Sequence, residues 1–162
     1  RLVSDWSSDV CSSDLNHAHL LPDIFGDIII PEPVYAELLA NGPGHPVTLL
    51  AQSAPWLTVQ AVTDEARVTQ LEQDRNLDPG EAHAIVLATE LNARQLLIDE
   101  RLGRLEAQRL GLSIIGLLGV LLVAKQRGLI PAVKPVMDDL IRQASFRIRP
   151  QLYREVLKRA NE

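Results

Sequence analysis

The sequence predicts an α/β fold: a three-layer sandwich with a central, mostly parallel sheet, helices on both faces and further helices toward the C-terminus. Three observations predict it. Short apolar runs, DIII at 27–30, QLLI at 95–98 and LSII at 112–115, are dense in isoleucine and leucine, as strands buried on both faces require. Segments of helical period separate these runs, so strand and helix alternate along the chain. The 162 residues, 46% of them hydrophobic, suffice for one compact core and are too few for two ordinary ones.

Taken in order, Asn16–Phe25 reads as a short helix and Asp27–Pro31 as a buried strand bounded by Gly26 and Pro31. Pro33 suits a first helical turn and opens Val34–Ala40, which Asn41-Gly42-Pro43-Gly44 ends. Leu57–Val62 alternates as a strand does, and Asp64 caps a polar helix to about Asn76. Asp78-Pro79-Gly80-Glu81 is the sharpest local signal, because Asp at the N-cap, Pro in the first turn and Glu three residues past the cap specify a capping box. That helix runs to Leu91-Asn92. Gln95–Ile98 is then a strand ending at Asp99, Leu102–Leu110 a helix, Leu112–Ile115 a strand, and Leu117–Arg127 an apolar helix closed by Gly128. Pro131 and Pro135 punctuate two last helices, Val136–Ala144 and Pro150–Ala160.

Composition narrows the class. Charged residues make up 23% and the mean hydropathy is +0.04, which excludes a disordered or low-complexity chain. The longest nearly apolar run, Leu110–Ala124, is fifteen residues broken by Gly111, Ser113, Gly116 and Gly119, short of the roughly 20 a bilayer needs, so no membrane partner is expected. A single cysteine and the lack of a signal-peptide pattern point to a reducing cytoplasm. The net charge of -5 argues against a surface that grips nucleic acid everywhere. Its distribution is uneven: Ala124–Glu162 carries nine basic residues against four acidic ones, which suits either solvated amphipathic helices or a phosphate-facing surface.

Arg1–Leu15 stands apart. It contains Ser-Ser-Asp at 7–9 and again at 12–14, and Asp5–Leu15 matches the in-frame translation of a common sequencing adapter. The segment is therefore set aside from the fold as an assembly scar, Cys11 with it, against the competing reading of a Ser-rich natural terminus.

Chemistry can be argued from the carboxylates. Asp99 directly follows a buried strand, where an α/β sheet presents groups to its crevice; it also suits the N-cap of the next helix. Glu81 lies in a first helical turn and Glu37 beside the apolar Val34 and Leu38, although each is also at home as an arm of the capping box and as a surface glutamate respectively. Three carboxylates about 5 Å apart would repel by roughly 3 kcal/mol per pair at an effective dielectric near 20. A proton or a divalent cation would relieve that, and oxygen-only ligands select Mg²⁺ or Mn²⁺ over zinc. Competing chemistries find no support: the four histidines show no HExxH spacing, and there is no Walker A sequence, GxGxxG or GxSxG. Six aromatic residues cannot furnish a base-stacking platform.

The segments Asp27–Leu39 (with DIIIPEPVYAEL), Leu77–Leu87 (LDPGEAHAIVL), Leu96–Gly103 (LLIDERLG) and Gly116–Pro131 (GLLGVLLVAKQRGLIP), with the Phe146–Leu157 tail, resemble the PIN-like proteins of the DUF3368 family. The similarity spans about Asn16–Glu162 as a single domain, with the DUF3368-like C-terminal part at about 116–162. It implies a PIN fold, a Mg²⁺ or Mn²⁺ site and a role like that of VapC-type ribonuclease toxins, with RNA as substrate, a small antitoxin as partner and homodimer formation through helices. Metal ligation and catalysis then fall to Glu37 of VYAEL, Glu81 of PGEAHAI and Asp99 of LLIDE, with Glu100 in an assisting position. The family also carries an aspartate at the end of its first strand. Ser4-Asp5-Trp6-Ser7 mimics that pattern, and Asp5 is read as a coincidence of the adapter frame, which leaves the domain truncated at its first strand. Lys125, Arg127 and Lys134 are the basic residues expected to hold RNA.

The reading that results is a divalent-metal-dependent endoribonuclease of toxin–antitoxin type that cleaves RNA phosphodiesters with metal-activated water. With its first strand overwritten, this chain could be inactive. The alternative is a non-catalytic PIN-like module that binds an antitoxin or nucleic acid. A phosphoryl-receiver domain is disfavoured, because no lysine occurs between Asn16 and Ala124.

Overall fold

The computed structural model describes residues 2–5, 17–143 and 147–162. Five strands, β1 (Leu2–Ser4), β2 (Ile28–Pro31), β3 (Leu57–Gln60), β4 (Gln95–Leu97) and β5 (Ile114–Ile115), form one sheet in the order β3-β2-β1-β4-β5, and every pairing is parallel. Among the described residues nine helices cover it: α1 (Leu20–Phe25), α2 (Glu32–Ala40), α3 (Pro46–Ser53), α4 (Glu65–Arg75), α5 (Pro79–Glu90), α6 (Arg101–Arg109), α7 (Leu117–Gln126), α8 (Lys134–Gln143) and α9 (Pro150–Ala160). This is the predicted α/β sandwich. None of these helices is long and apolar enough to cross a membrane.

Strand alternation builds two cores. Leu2, Ile28, Ile30 and Leu97 point to one face, against α1, α2, α7, α8 and α9. Val3, Ile29, Leu96 and Ile98 point to the other, against α4, α5 and α6. Each fully buried leucine or isoleucine contributes roughly 1.5–3 kcal/mol relative to exposure. Helix α5 is buried from Gly80 to Ala88 almost without interruption, so it lacks a polar stripe, and its capping box holds as read: Asp78 Oδ1 accepts from Glu81 N at 2.8 Å and Glu81 Oε2 from Asp78 N at 3.3 Å. Burial fixes this helix against β2, β1 and β4 at the centre of the sheet.

Two elements differ from expectation. Helix α3 replaces what the sequence leaves as loop; its N-cap is His45, whose ring nitrogen accepts from Val47 N, with Pro46 in the first turn. The other difference concerns the amino-terminal segment. Leu2 and Val3, set aside with residues 1–15, are fully buried and form the central strand, paired with β2 on one side and β4 on the other. Two apolar residues followed by a small buried serine are what the sheet centre accepts. Arg1 and residues 6–16, which hold Cys11 and the rest of the adapter-like stretch, lie outside the described residues, as do residues 144–146 at the predicted helix end and the start of the Phe146 tail.

Candidate active site

From β1 the chain builds outward to β2 and β3, then returns across β1 to build β4 and β5 on its other side. The order reverses at the β1/β4 boundary, the place where an open parallel sheet forms its crevice at the carboxyl ends of the strands. Asp5 stands there, directly after β1, with its N–H donating to Leu97 O at 3.0 Å. Asp99 follows β4 by two residues, α2 carries the half-buried Glu37, and the N-terminus of α5 carries Asp78 and Glu81.

Asp5 is the hub. Burial pushes its carboxyl up to about 8 from an ordinary 3.8, and the negative charges of Asp78, Glu81, Glu37 and Asp99, in that order, push in the same direction. The charges of the sequence-predicted Glu37, Glu81 and Asp99 thus all act on Asp5, the residue that the sequence reading sets aside as a mimic of the family's first-strand aspartate. Among the described residues no three acidic side chains sit close enough together to hold an ion as they stand.

Among the described residues, three buried oxygen atoms at this rim have no hydrogen-bond partner: Ser4 Oγ, Asp5 Oδ1 and Glu81 Oε1. Such orphans are costly, about 1–3 kcal/mol each and more for charged groups. Burial raises the Glu81 carboxyl; its hydrogen bond from Asp78 N opposes this, Asp78 and Glu100 charges add to it, and the nearby backbone of Gly103 eases the charge without closing a hydrogen bond on Oε1. Glu100 itself is exposed at the N-cap of α6.

Asp99 is placed differently. Both of its oxygens accept from Leu117 N at 3.1 Å, so it ties β4 to the first turn of α7. Desolvation raises its pKa; the Leu117 N–H and then the positive charge of Arg104 lower it, against a small opposing push from Glu100. The cap role and the site role anticipated for Asp99 are therefore compatible, although the helix it caps is α7 and not the adjacent α6.

Glycines make room for these groups. A Cβ on Gly103 would stand 2.5 Å from Glu81 Oε1 and 2.5 Å from Ile98 Cδ1, and one on Gly116 would stand 2.6 Å from Asp99 Oδ1. Gly80 is slightly less tight, at 3.2 Å from Asp5 Oδ1. Side chains there would fill the cradle that the carboxylates occupy. Asp78 is the residue sequence reasoning missed as a member of the cluster; its position in PGEAHAI's cap was visible, its charge on Asp5 was not.

The three predicted RNA-binding residues are not brought to this rim. Lys125 lies eight residues along α7 from Leu117, about 12 Å at 1.5 Å per residue, and its Nζ donates to Ala160 O and Glu162 Oε1. Arg127 donates to Ile24 O and lines a small cavity with Arg94 and Gln95 at the start of β4, and Lys134 pairs with Asp138.

No curated protein and no solved structure matches the chain. The DUF3368 family, described as a PIN domain, matches residues 10–162. The chain belongs to that PIN-domain family.

Proposed function

We propose that this protein is a divalent-metal-dependent endoribonuclease of toxin–antitoxin type, with RNA as substrate and a small antitoxin as its protein partner. The observation that carries the reading is the pair of carboxylate oxygens without a partner among the described residues, Asp5 Oδ1 and Glu81 Oε1, where burial first and neighbouring negative charge second hold the Asp5 carboxyl at about 8. A hard cation fits this donor set: all its groups are oxygens, two of them lack any other partner, and the excess negative charge falls when the cation binds. Asp5, Glu81 and Asp99 would hold Mg²⁺ or Mn²⁺, with Glu37 and Asp78 at the border of the site. When bound, the ion supplies an acidified water and positive charge for the phosphodiester.

The protein's own groups do the remaining work. The Asp99 carboxylate is oriented by the Leu117 N–H, and Glu81 by its reciprocal bond with the Asp78 cap, so neither side chain needs to be ordered when RNA arrives. Glu37, half-buried on α2, would orient water entering beside the RNA or accept a proton from it.

Incubation with structured RNAs and Mg²⁺ tests this. Cleavage by the wild type and its loss in Asp99→Asn, at least about 100-fold since even outer-shell partners of a metal site cost 10–100-fold, is the expected result. RNA left intact by a protein that Mn²⁺ nonetheless stabilises against heat would defeat the ribonuclease assignment. Intact RNA together with no Mn²⁺ stabilisation would favour the non-catalytic binding module instead.

A further inference from the structure

We propose that Arg104 is a substrate-binding residue of this site, taking a non-bridging oxygen of the RNA phosphodiester beside Asp99; the proposal rests on the ribonuclease reading above. Three geometric features carry it. Arg104 lies one turn into α6 and reaches back to the strand end, where its Nη1 donates to Ile98 O at 2.8 Å, the last carbonyl before Asp99. It shares with Asp99 the space over Gly116: a Cβ there would stand 2.6 Å from Asp99 Oδ1 and 2.9 Å from Arg104 Nη1. Yet the two do not pair. Among the described residues the arginine ion pairs are those of Arg75 and Arg109 with Glu106 and of Arg142 with Asp139.

Among the described residues this half-buried guanidinium has one anchoring hydrogen bond, and its charge favours the Asp99 carboxylate without an ion-pair contact, so its remaining donors are not used up by an anion of the protein. Its fork has five N–H donors, and the bond to Ile98 O uses one nitrogen. The remaining donors suit phosphate, which arginine binds through two parallel bonds. An acidic rim also repels RNA, so a fixed cation at its edge supplies what the carboxylates cannot. Lys125, Arg127 and Lys134 are engaged elsewhere, which leaves Arg104 as the cation that the fold anchors beside Asp99.

The experiment is a salt titration of RNA binding. A fluorescent single-stranded RNA is bound to the wild type, Arg104→Gln and Arg104→Lys in EDTA, so that no turnover occurs, and the slope of log affinity against log salt is read with the melting temperature of each protein. Arg104→Gln is expected to weaken binding about tenfold and to flatten the slope by about 0.7, the loss of one phosphate contact on a single strand. Arg104→Lys is expected to restore the slope while recovering only part of the affinity, since it keeps the charge and loses the fork. An Arg104→Gln slope equal to that of an RNA-binding wild type overturns the proposal alone. So does a fall in melting temperature shared by both variants with affinity and slope unchanged, which would make Arg104 a clip for the strand end. A wild type that neither binds nor cuts RNA overturns the ribonuclease reading and this inference together.

Discussion

Glu81 and Glu106 are buried to the same degree, each 4% exposed, and live in opposite electrostatic worlds. Glu106, on α6, faces Arg109 with two hydrogen bonds of 2.9 and 2.6 Å and Arg75 at 3.3 Å, and those partners hold its carboxyl below the usual range. Glu81, at the start of α5, has one weak bond from the Asp78 backbone, an orphaned second oxygen and acidic neighbours, and its carboxyl is pushed up. Burial alone therefore says nothing about role. A charge withdrawn from water and compensated is part of the scaffold, whereas a charge withdrawn and left uncompensated is held for something that arrives later. The scaffold glutamate sits between α6 and α4, away from the strand ends; the waiting one belongs to the rim around Asp5.

The largest test of this contrast is pH. The Asp5 carboxyl is raised from 3.8 to about 8, so its contribution to stability is full below about pH 3.8 and is lost as pH rises through 8. The upward shifts of Glu81 and Asp99 have the same sign. In divalent-free buffer the melting temperature of the wild type is expected to fall between pH 5 and 9, on the order of 5 kcal/mol at most from Asp5. Asp5→Asn should flatten the profile, and Mg²⁺ should raise the alkaline end of the wild type alone. Comparison of the two proteins cancels groups outside the rim such as His17, whose pKa burial lowers. Parallel wild-type and Asp5→Asn profiles would show that Asp5 carries no such burden.

Neutral isosteres break or sharpen the comparison directly. Glu106→Gln removes the charge that Arg75 and Arg109 share; since both arginines are about half exposed and can return to water, the cost is expected near 1–3 kcal/mol at pH 7 and not the full penalty of a buried orphan. Glu81→Gln removes an uncompensated charge and keeps an oxygen for the Asp78 N–H. The metal-free protein should then melt no lower than wild type at pH 8, while its response to Mn²⁺ disappears. Denaturant unfolding of both variants reads the two signs. Equal destabilisation by the two substitutions would mean that Glu81 is scaffold after all.

Much of this architecture is legible in the sequence, and the gaps have physical causes. The isoleucine run of β2, the Asp78 cap and the strand-end position of Asp99 are local signals, set by residues a few positions apart. β1 is not, because Leu2-Val3-Ser4 is too short to show a period and acquires meaning only from its partners 26 and more than 90 residues away. Asp5 follows from β1 and was lost with it. Asp78 illustrates a different limit: its capping role is local and readable, while its charge acts on Asp5 across the fold. The pairing of Lys125 with Glu162 is likewise tertiary, which is why a basic tail could be read as a phosphate surface.

Glu162 supplies the smallest test and a control for the contrast. Its carboxylate accepts from Lys125 Nζ and Val133 N, both at 2.7 Å, and from Lys134 N at 3.0 Å, which satisfies the start of α8 and draws α7 and α9 to it. These partners pull its carboxyl from 4.5 to about 2, so its contribution is present above about pH 4.5 and is lost as pH falls through 2. It resembles Glu106 in being compensated, but near the surface, where solvent screening weakens each bond. Glu162→Gln should cost about 1 kcal/mol at pH 7 and leave both Mn²⁺ stabilisation and RNA cleavage unchanged. A change in the metal response would link the far end of α7 to the carboxylate rim, and the division between scaffold acids and waiting acids would then have to be drawn along that helix.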